Sequence, residues 1–492
     1  MAKRSIPSAP APGTKVVALH PIDQRKPVGG LRTVVFFVIR STLDQQLLRD
    51  SLDKLIRNHL PVLGARLHQA PKEGGLDEFH YPEPFPDDAT LFGWSEKFIE
   101  STLDATKLIP DTSASNGSVV WGLSMEDIEA AWAPSDWSFQ RKDDKPDTPL
   151  LLVHFTGYQD AAVLTLNIPH CVSDQKGLAS MVQAWLAVAR GLEPPPFITL
   201  EPGALDGPDL PQSELREKGK YRLKSKGEYI RSIVGLLPDV IRNQEETGRL
   251  MFLPVSLVTR LRDRCNDELT SKHGSDHPVL TNGDVISSTL AKLAYLNRNK
   301  KTKTFVLGET VNARGRHPAL PEGKHYLHNC PAYACARFKF NKNTPLSEIA
   351  LKHRISVNET AQTASIERSF AVTKKVFDGG YGFPMGEAGD LSFHVTNWSS
   401  AWHGIDFSHV RKDTSATNAT GESNGAPDSV SNAALPMLVL GSSTQRDSSI
   451  HRLSAPILCK ADGGYWVAFT TSTKNMLLVD ELLNKDPLLD TL

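Results

Sequence analysis

The chain has 492 residues, 40% of them hydrophobic and 23% charged, with 55 Lys and Arg against 56 Asp and Glu for a net charge of -1. Its length favours two or more domains with cores of their own, and its near-neutral balance argues against a nucleic-acid or membrane-surface protein. No run approaches a membrane span, the basic, proline-rich start lacks the apolar core of a secretory signal, and five scattered cysteines read as free thiols in a reducing compartment, so a cytoplasmic protein is expected.

In chain order, residues 1–14 are expected to be a disordered start. Val16 to Gln24 reads as a short strand ending in a turn, and Leu31 to Ile39 as a strongly apolar strand. Ser41 or Thr42 is expected to cap a helix whose buried stripe holds Leu48, Leu52, Leu55 and Ile56. Pro61 to Leu67 ends that helix and begins another strand. Residues 70–90 read as surface loop, and 96–135 mixes helical and loop signals. Leu151 to Phe155 and Val163 to Ile168 then read as adjacent strands, the second with Leu164, Leu166 and Ile168 on one face. After them Leu178, Met181, Val182, Trp185 and Leu186 recur at helical spacing.

The turn between that strand and that helix, Asn167 to Gly177, is the stretch around which the chain is organised. Pro169 cannot continue a sheet ladder, which frees His170 to point into a cleft. An imidazole takes up a proton near neutral pH, and no Gly-x-Ser-x-Gly or comparable nucleophile motif stands nearby. The simplest chemistry for His170 is deprotonation of a substrate hydroxyl or amine. Asp174, four residues on, fixes the turn through an ion pair or a cap on the following helix.

Pro194-Pro195-Pro196 opens a polar stretch, and residues 201–245 read as a crossover linker between an N-terminal domain, 15–200, and a C-terminal domain, 246–492. The second half repeats the ingredients. Helices are expected over Pro254 to Asn266, Asn282 to Asn297 and Leu346 to about Thr363. Strands are expected over Thr304 to Asn312, Tyr333 to Phe340 and Leu391 to Trp398. Residues 411–432, rich in Ser, Thr, Asn and Gly, read as a mobile loop. Strands over Pro436 to Gly441, Ala455 to Lys460 and Tyr465 to Ser472, then a helix over Asn475 to Asn484, close the chain. The fold class expected is α/β, in two halves with mixed sheets and outer helices.

These motifs, in order, resemble those of the BAHD acyltransferases, in particular the fungal secondary-metabolite branch with its trichothecene acetyltransferases. The residues that carry the resemblance are His20-Pro21-Ile22-Asp23, Ser51-Leu52 through Pro61-Val62-Leu63-Gly64-Ala65-Arg66-Leu67, and His170-x-x-x-Asp174. Val311-Asn312-Ala313-Arg314-Gly315-Arg316, His328-Asn329, and Thr396-Asn397-Trp398 leading to Asp406-Phe407 continue it. The resemblance implies two chloramphenicol-acetyltransferase-like domains with a solvent channel at their interface. It also implies an acyl-CoA-dependent monomeric enzyme that passes a short acyl group to a hydroxyl of a secondary metabolite through a ternary complex, without an acyl-enzyme. His170 would be the general base, and Arg314 the structural partner of Asp174. Thr396 and Trp398 would be oxyanion donors, although a ladder role for the first and a core role for the second explain them as well. Acyl-CoA would be the co-substrate, with no bound cofactor and no metal.

Two departures stand out. The family usually has glycine straight after the motif aspartate, whereas Gln175 and Lys176 precede Gly177 here, and Asp-Phe-Gly-Trp-Gly is reduced to Asp406-Phe407-Ser408-His409-Val410. For the anionic end of coenzyme A, the candidates are Lys220, Lys224, Lys226, Arg260, Arg264 and Ser287, although an exposed helical face is the favoured explanation of the basic ones. His325, His328, Cys330 and Cys335 fit no common zinc spacing. Two rival readings are a condensation-type or cyclising enzyme of the same fold, and a non-catalytic binding protein. Against the first, Pro169 stands where such enzymes have a second histidine.

Overall fold

Ala162–Pro169 is buried at all eight positions, as is its neighbour Arg32–Ile39. The alternation in the first strand places Leu164, Leu166 and Ile168 on one face, and the polar residues of the other face are buried with partners. Thr165 donates to the Trp132 carbonyl at 3.0 Å, while Asn167 donates to the Ser138 carbonyl and accepts from Arg32 Nε at 2.6 Å. Both faces of this sheet are therefore covered. This computed structural model describes residues 12–26, 28–70, 75–113, 115–298, 301–382, 386–412, 435–443 and 450–492.

The two strands belong to a five-stranded mixed sheet, whose order is Met437–Ser442, Arg32–Ile39, Ala162–Pro169, Leu152–Gly157, Gly93–Phe98. A seven-stranded mixed sheet runs Pro331–Phe340, Lys303–Asn312, Leu391–Asn397, Ser454–Ala461, Gly464–Ser472, Glu246–Pro254, Val120–Trp121. Each half lends the other an edge strand. Met437–Ser442 pairs antiparallel with Arg32–Ile39 of the first sheet, and Val120–Trp121 pairs with Phe252 and Met251 of the second. A boundary at 201–245 thus divides the chain but not the cores. The first core takes in Leu438, Leu440, Trp402 and Phe407 from beyond it, and a second core gathers under the larger sheet.

Several expectations need correction. The cap of the first long helix, Gln45–Asn58, is Asp44, whose carboxylate accepts from Leu47 N at 2.9 Å, and not Ser41 or Thr42. The 201–245 stretch is ordered rather than a bare linker. It holds the helix Lys226–Arg242, and Leu215, Tyr221 and Leu223 are buried, because Arg222 binds Glu387 and Glu228 and the two-residue strand Leu223–Lys224 pairs with Tyr381–Gly382. The helix expected to end near Thr363 stops at Thr360, and a second, Thr363–Phe377, follows. Residues 1–11 of the expected disordered start lie outside the described residues, whereas Thr14 already opens a strand. The loop expected over 411–432 lies, beyond Lys412, outside them too. Among the described residues no helix is long and apolar enough to cross a membrane.

Candidate active site

The chain leaves the Ala162–Pro169 strand at Pro169, which still pairs with Arg32, and His170 N–H makes one further bond to the Leu31 carbonyl at 2.9 Å. Proline ends the ladder one residue later than its own missing donor requires. The His170 imidazole lines a cavity of about 940 Å³ whose wall comes from both sheets. Its Nδ1 is sealed, and the residue's own backbone and the Asn329 side chain both act on the ring. Burial holds the ring's pKa below the ordinary 6.5, with its own backbone, Asp174 and Asn329 opposing and Arg25 adding to the effect. A neutral imidazole keeps one unprotonated nitrogen and can accept a proton.

Asp174 both caps and pairs. Its carboxylate accepts from Gly177 N at 2.9 Å, which starts the helix Gln175–Ala189, and receives two 2.9 Å bonds from the Arg314 fork. Arg314 also donates to the Tyr326 and His328 carbonyls, so it ties the loop before Pro331–Phe340 to the His170 turn. Burial opposes the charge on this guanidinium, yet Asp174 raises its pKa above the arginine norm. Asp174 lines the cavity and Arg314 does not, and the pair is a strut between the His170 turn and the loop before Pro331–Phe340.

A second strut was not legible beforehand as a mechanism. Asp23 accepts from both the backbone N–H and the Nδ2 of Asn329, at 2.9 and 2.7 Å, and the same Nδ2 donates to the His170 carbonyl at 2.8 Å. The Asp23 carboxyl is fully enclosed, and burial pushes its pKa up to about 7 despite these bonds. The motifs at 20–23 and 328–329 thus meet at the backbone of His170. Thr396, Asn397 and Trp398 line the same cavity. Trp398 N–H is fixed to the Ile457 carbonyl at 2.8 Å, and among the described residues neither the Thr396 hydroxyl nor the Trp398 indole N–H is recorded with a partner.

No family model matches the chain. It is similar to Acetyltransferase pyiB of Pyricularia grisea, at 24% identity over 443 residues covering 86% of this chain and 84% of that protein. It is also similar to Transcriptional regulator calD of Penicillium decumbens, at 24% over 506 residues covering 98% of each. Its fold matches the crystal structure of F. sporotrichioides TRI101 complexed with coenzyme A and T-2, with a TM-score of 0.62, 14% identity and coverage of 96% of this chain and 98% of that one. The chain is similar to fungal acyltransferases and shares the fold of TRI101.

In this chain the departures from the BAHD pattern have local causes. A Cβ on Gly177 would lie 1.8 Å from the Leu327 carbonyl oxygen, so the glycine belongs at 177, where helix and loop touch. Gln175 and Lys176 line the cavity, and Lys176 Nζ donates to the Ser400 carbonyl at 2.6 Å, which makes that side polar. Asp406 and Phe407 keep their place without the Gly-Trp-Gly. Phe407 is buried against Phe37, and Asp406 pairs with Arg190 at the end of the Gln175–Ala189 helix.

Of the residues proposed for coenzyme A only Arg260 and Arg264 are brought together, in a separate surface pocket, and none of the six lines this cavity. Lys220 pairs with Glu217 on the surface, and Lys224 is buried, bonded to the Gly386 carbonyl and Ser232. Lys226 is the first residue of its helix. Arg260 and Arg264 tie down the C-terminal segment through Asp490 and the Leu489 carbonyl, and Ser287 is buried against Glu309. Among the basic groups that do reach the cavity is Arg249, beside Glu246 and His451. Of the residues weighed for metal, His328 bonds the Val172 carbonyl and is pushed by burial down to about 4, while the buried Cys330 thiol is pushed up to about 12. Sequence reasoning missed Arg25, Tyr333 and His394, which line the cavity without belonging to any motif.

Proposed function

We propose that the protein transfers a short acyl group from acyl-CoA to a hydroxyl of a small secondary metabolite, with His170 as general base and no acyl-enzyme. The observation that supports this reading is the His170 ring, held neutral by burial in the wall of a cavity lined by both sheets. In this mechanism Nε2 takes the acceptor's hydroxyl proton as the oxygen attacks the thioester carbonyl. The Thr396 hydroxyl and Trp398 indole N–H donate to the developing oxyanion. Collapse expels the coenzyme A thiolate, which takes the proton back from the imidazolium. A ternary complex suits the site because the nearest thiol in sequence, Cys171, is sealed and pushed by burial up to about 12, so it supplies no thiolate.

Incubation with acetyl-CoA and an extract of the source organism, followed by mass spectrometry, tests the proposal. Acceptors gaining an acetyl group, a loss of about 100-fold or more in His170→Ala and no mass gain on the protein itself are expected. Wild-type turnover by His170→Ala would remove the basis for the mechanism. A purely binding role has one observation in its favour, the similarity to a protein named a transcriptional regulator; the same assay decides, since that reading requires no acetylated product.

A further inference from the structure

The cavity contains a cation that the acyl transfer does not use. Arg25 leaves the short helix Pro21–Gln24 with φ -62° and ψ 139°, and its guanidinium carbon lies 4.5 Å from the centroid of the Tyr333 ring. It lines the same cavity as His170, Tyr221, Tyr333 and His394. Its Nε is buried without a partner. Among the described residues no carboxylate is recorded as acting on it: the groups its charge touches are Tyr221, His170 and His394. Other buried arginines are treated differently. Arg32 holds Asp144, Arg222 holds Glu387 and Glu228, and Arg314 holds Asp174.

A half-buried guanidinium is costly to keep without a counter-charge, and among the described residues the groups acting on this one are aromatic rings and imidazoles, which supply none. What it offers is a planar fork of donors facing a cavity, the shape that receives a carboxylate through two parallel bonds. The Tyr333 ring supports the cation from one side.

We propose that Arg25 is the centre of a carboxylate-binding subsite, so that the substrate presents a carboxylate to Arg25 while its reacting end faces His170. This deepens the acyl-transfer reading and rests on it. The carboxylate has two possible sources. It belongs either to a hydroxy-acid acceptor or to the far end of a dicarboxylic acyl group such as malonyl.

The test uses the full chain with acetyl-CoA or malonyl-CoA. The acceptors are hydroxybenzoate, hydroxycyclohexanecarboxylate and hydroxyphenylacetate, each beside its methyl ester, and the variants are Arg25→Gln and Arg25→Lys. For an acceptor carboxylate, the expected result is an acid-over-ester preference in kcat/KM of about tenfold or more with acetyl-CoA. That preference collapses in Arg25→Gln through KM and is partly restored in Arg25→Lys. A preference for malonyl-CoA with the ester acceptors, abolished in Arg25→Gln, also supports the subsite and assigns the carboxylate to the acyl group. Equal use of acid and ester, and of both donors, by wild type and Arg25→Gln overturns it.

Calorimetric binding of the same acids and esters in the presence of coenzyme A keeps the proposal testable apart from catalysis. Acid binding weakened about tenfold in Arg25→Gln supports it. No acid binding by wild type, or equal binding by both proteins, overturns it. Loss of the transfer mechanism, read from His170→Ala, leaves this binding comparison intact.

Discussion

Arg314 holds both oxygens of Asp174 at 2.9 Å across 140 positions of sequence, and the same carboxylate caps the helix that begins one residue later. One carboxylate therefore sets the end of the His170 turn, the start of the Gln175–Ala189 helix and the approach of the two halves. In Arg314→Lys the point charge remains but the fork is lost. We expect kcat to fall by about 10- to 100-fold with KM for acyl-CoA little changed, because the imidazole is displaced rather than the substrate released. Asp174→Ala, which leaves the guanidinium without its carboxylate, should also cost about 3 kcal/mol in chemical denaturation.

The pH profile reports on His170. Burial places its pKa below 6.5, so the base is already deprotonated at neutral pH. We expect kcat/KM to be flat through pH 7 and to decline only below about 6.5, the ordinary imidazole value, as the ring takes up its proton. An acid limb centred above pH 7 would contradict the assignment.

Gly177 is a steric prediction. Gly177→Ala brings a methyl against the Leu327 carbonyl oxygen, and neither the capped helix nor the backbone held by Arg314 has freedom to move away. We expect a loss of about 2 kcal/mol or more in urea unfolding.

His353 gives a pH test remote from the cavity. Although burial alone pulls it down, Glu309 at 2.6 Å and Asp284 at 3.0 Å hold its pKa up at about 9. A histidine raised in the folded state contributes fully below its unfolded value of 6.5, and that contribution is lost as pH rises through 9. The stability difference between wild type and His353→Gln should therefore be largest near pH 6 and shrink by about 3 kcal/mol by pH 10. A difference that does not change with pH would refute the ion pairing.

Local pattern was a reliable guide where a segment decides its own backbone. Alternation placed Ala162–Pro169, helical spacing placed Gln175–Ala189, and both roles offered for Asp174, cap and ion pair, are present together. The helix Thr363–Phe377 was overlooked because the preceding helix ends only two residues earlier, at Thr360, without a glycine or proline between them. Lys224 illustrates the opposite failure. Its basic neighbourhood in sequence suggested an exposed phosphate site, yet the side chain is buried and bonded to the Gly386 carbonyl.

By itself the amino-acid order determined the α/β class and the strand-turn-helix carrying His170, and its ordered motifs carried a resemblance to one family. These follow from short-range periodicity and from residue types whose backbone demands are local. Only the tertiary structure decided that Met437–Ser442 completes the first sheet, that Asn329 links Asp23 to His170, and that Arg25 stands among aromatic rings without a carboxylate. Such facts depend on which distant surfaces close on one another. Side-chain pairing and desolvation arise only after that closure, so no window of sequence contains them.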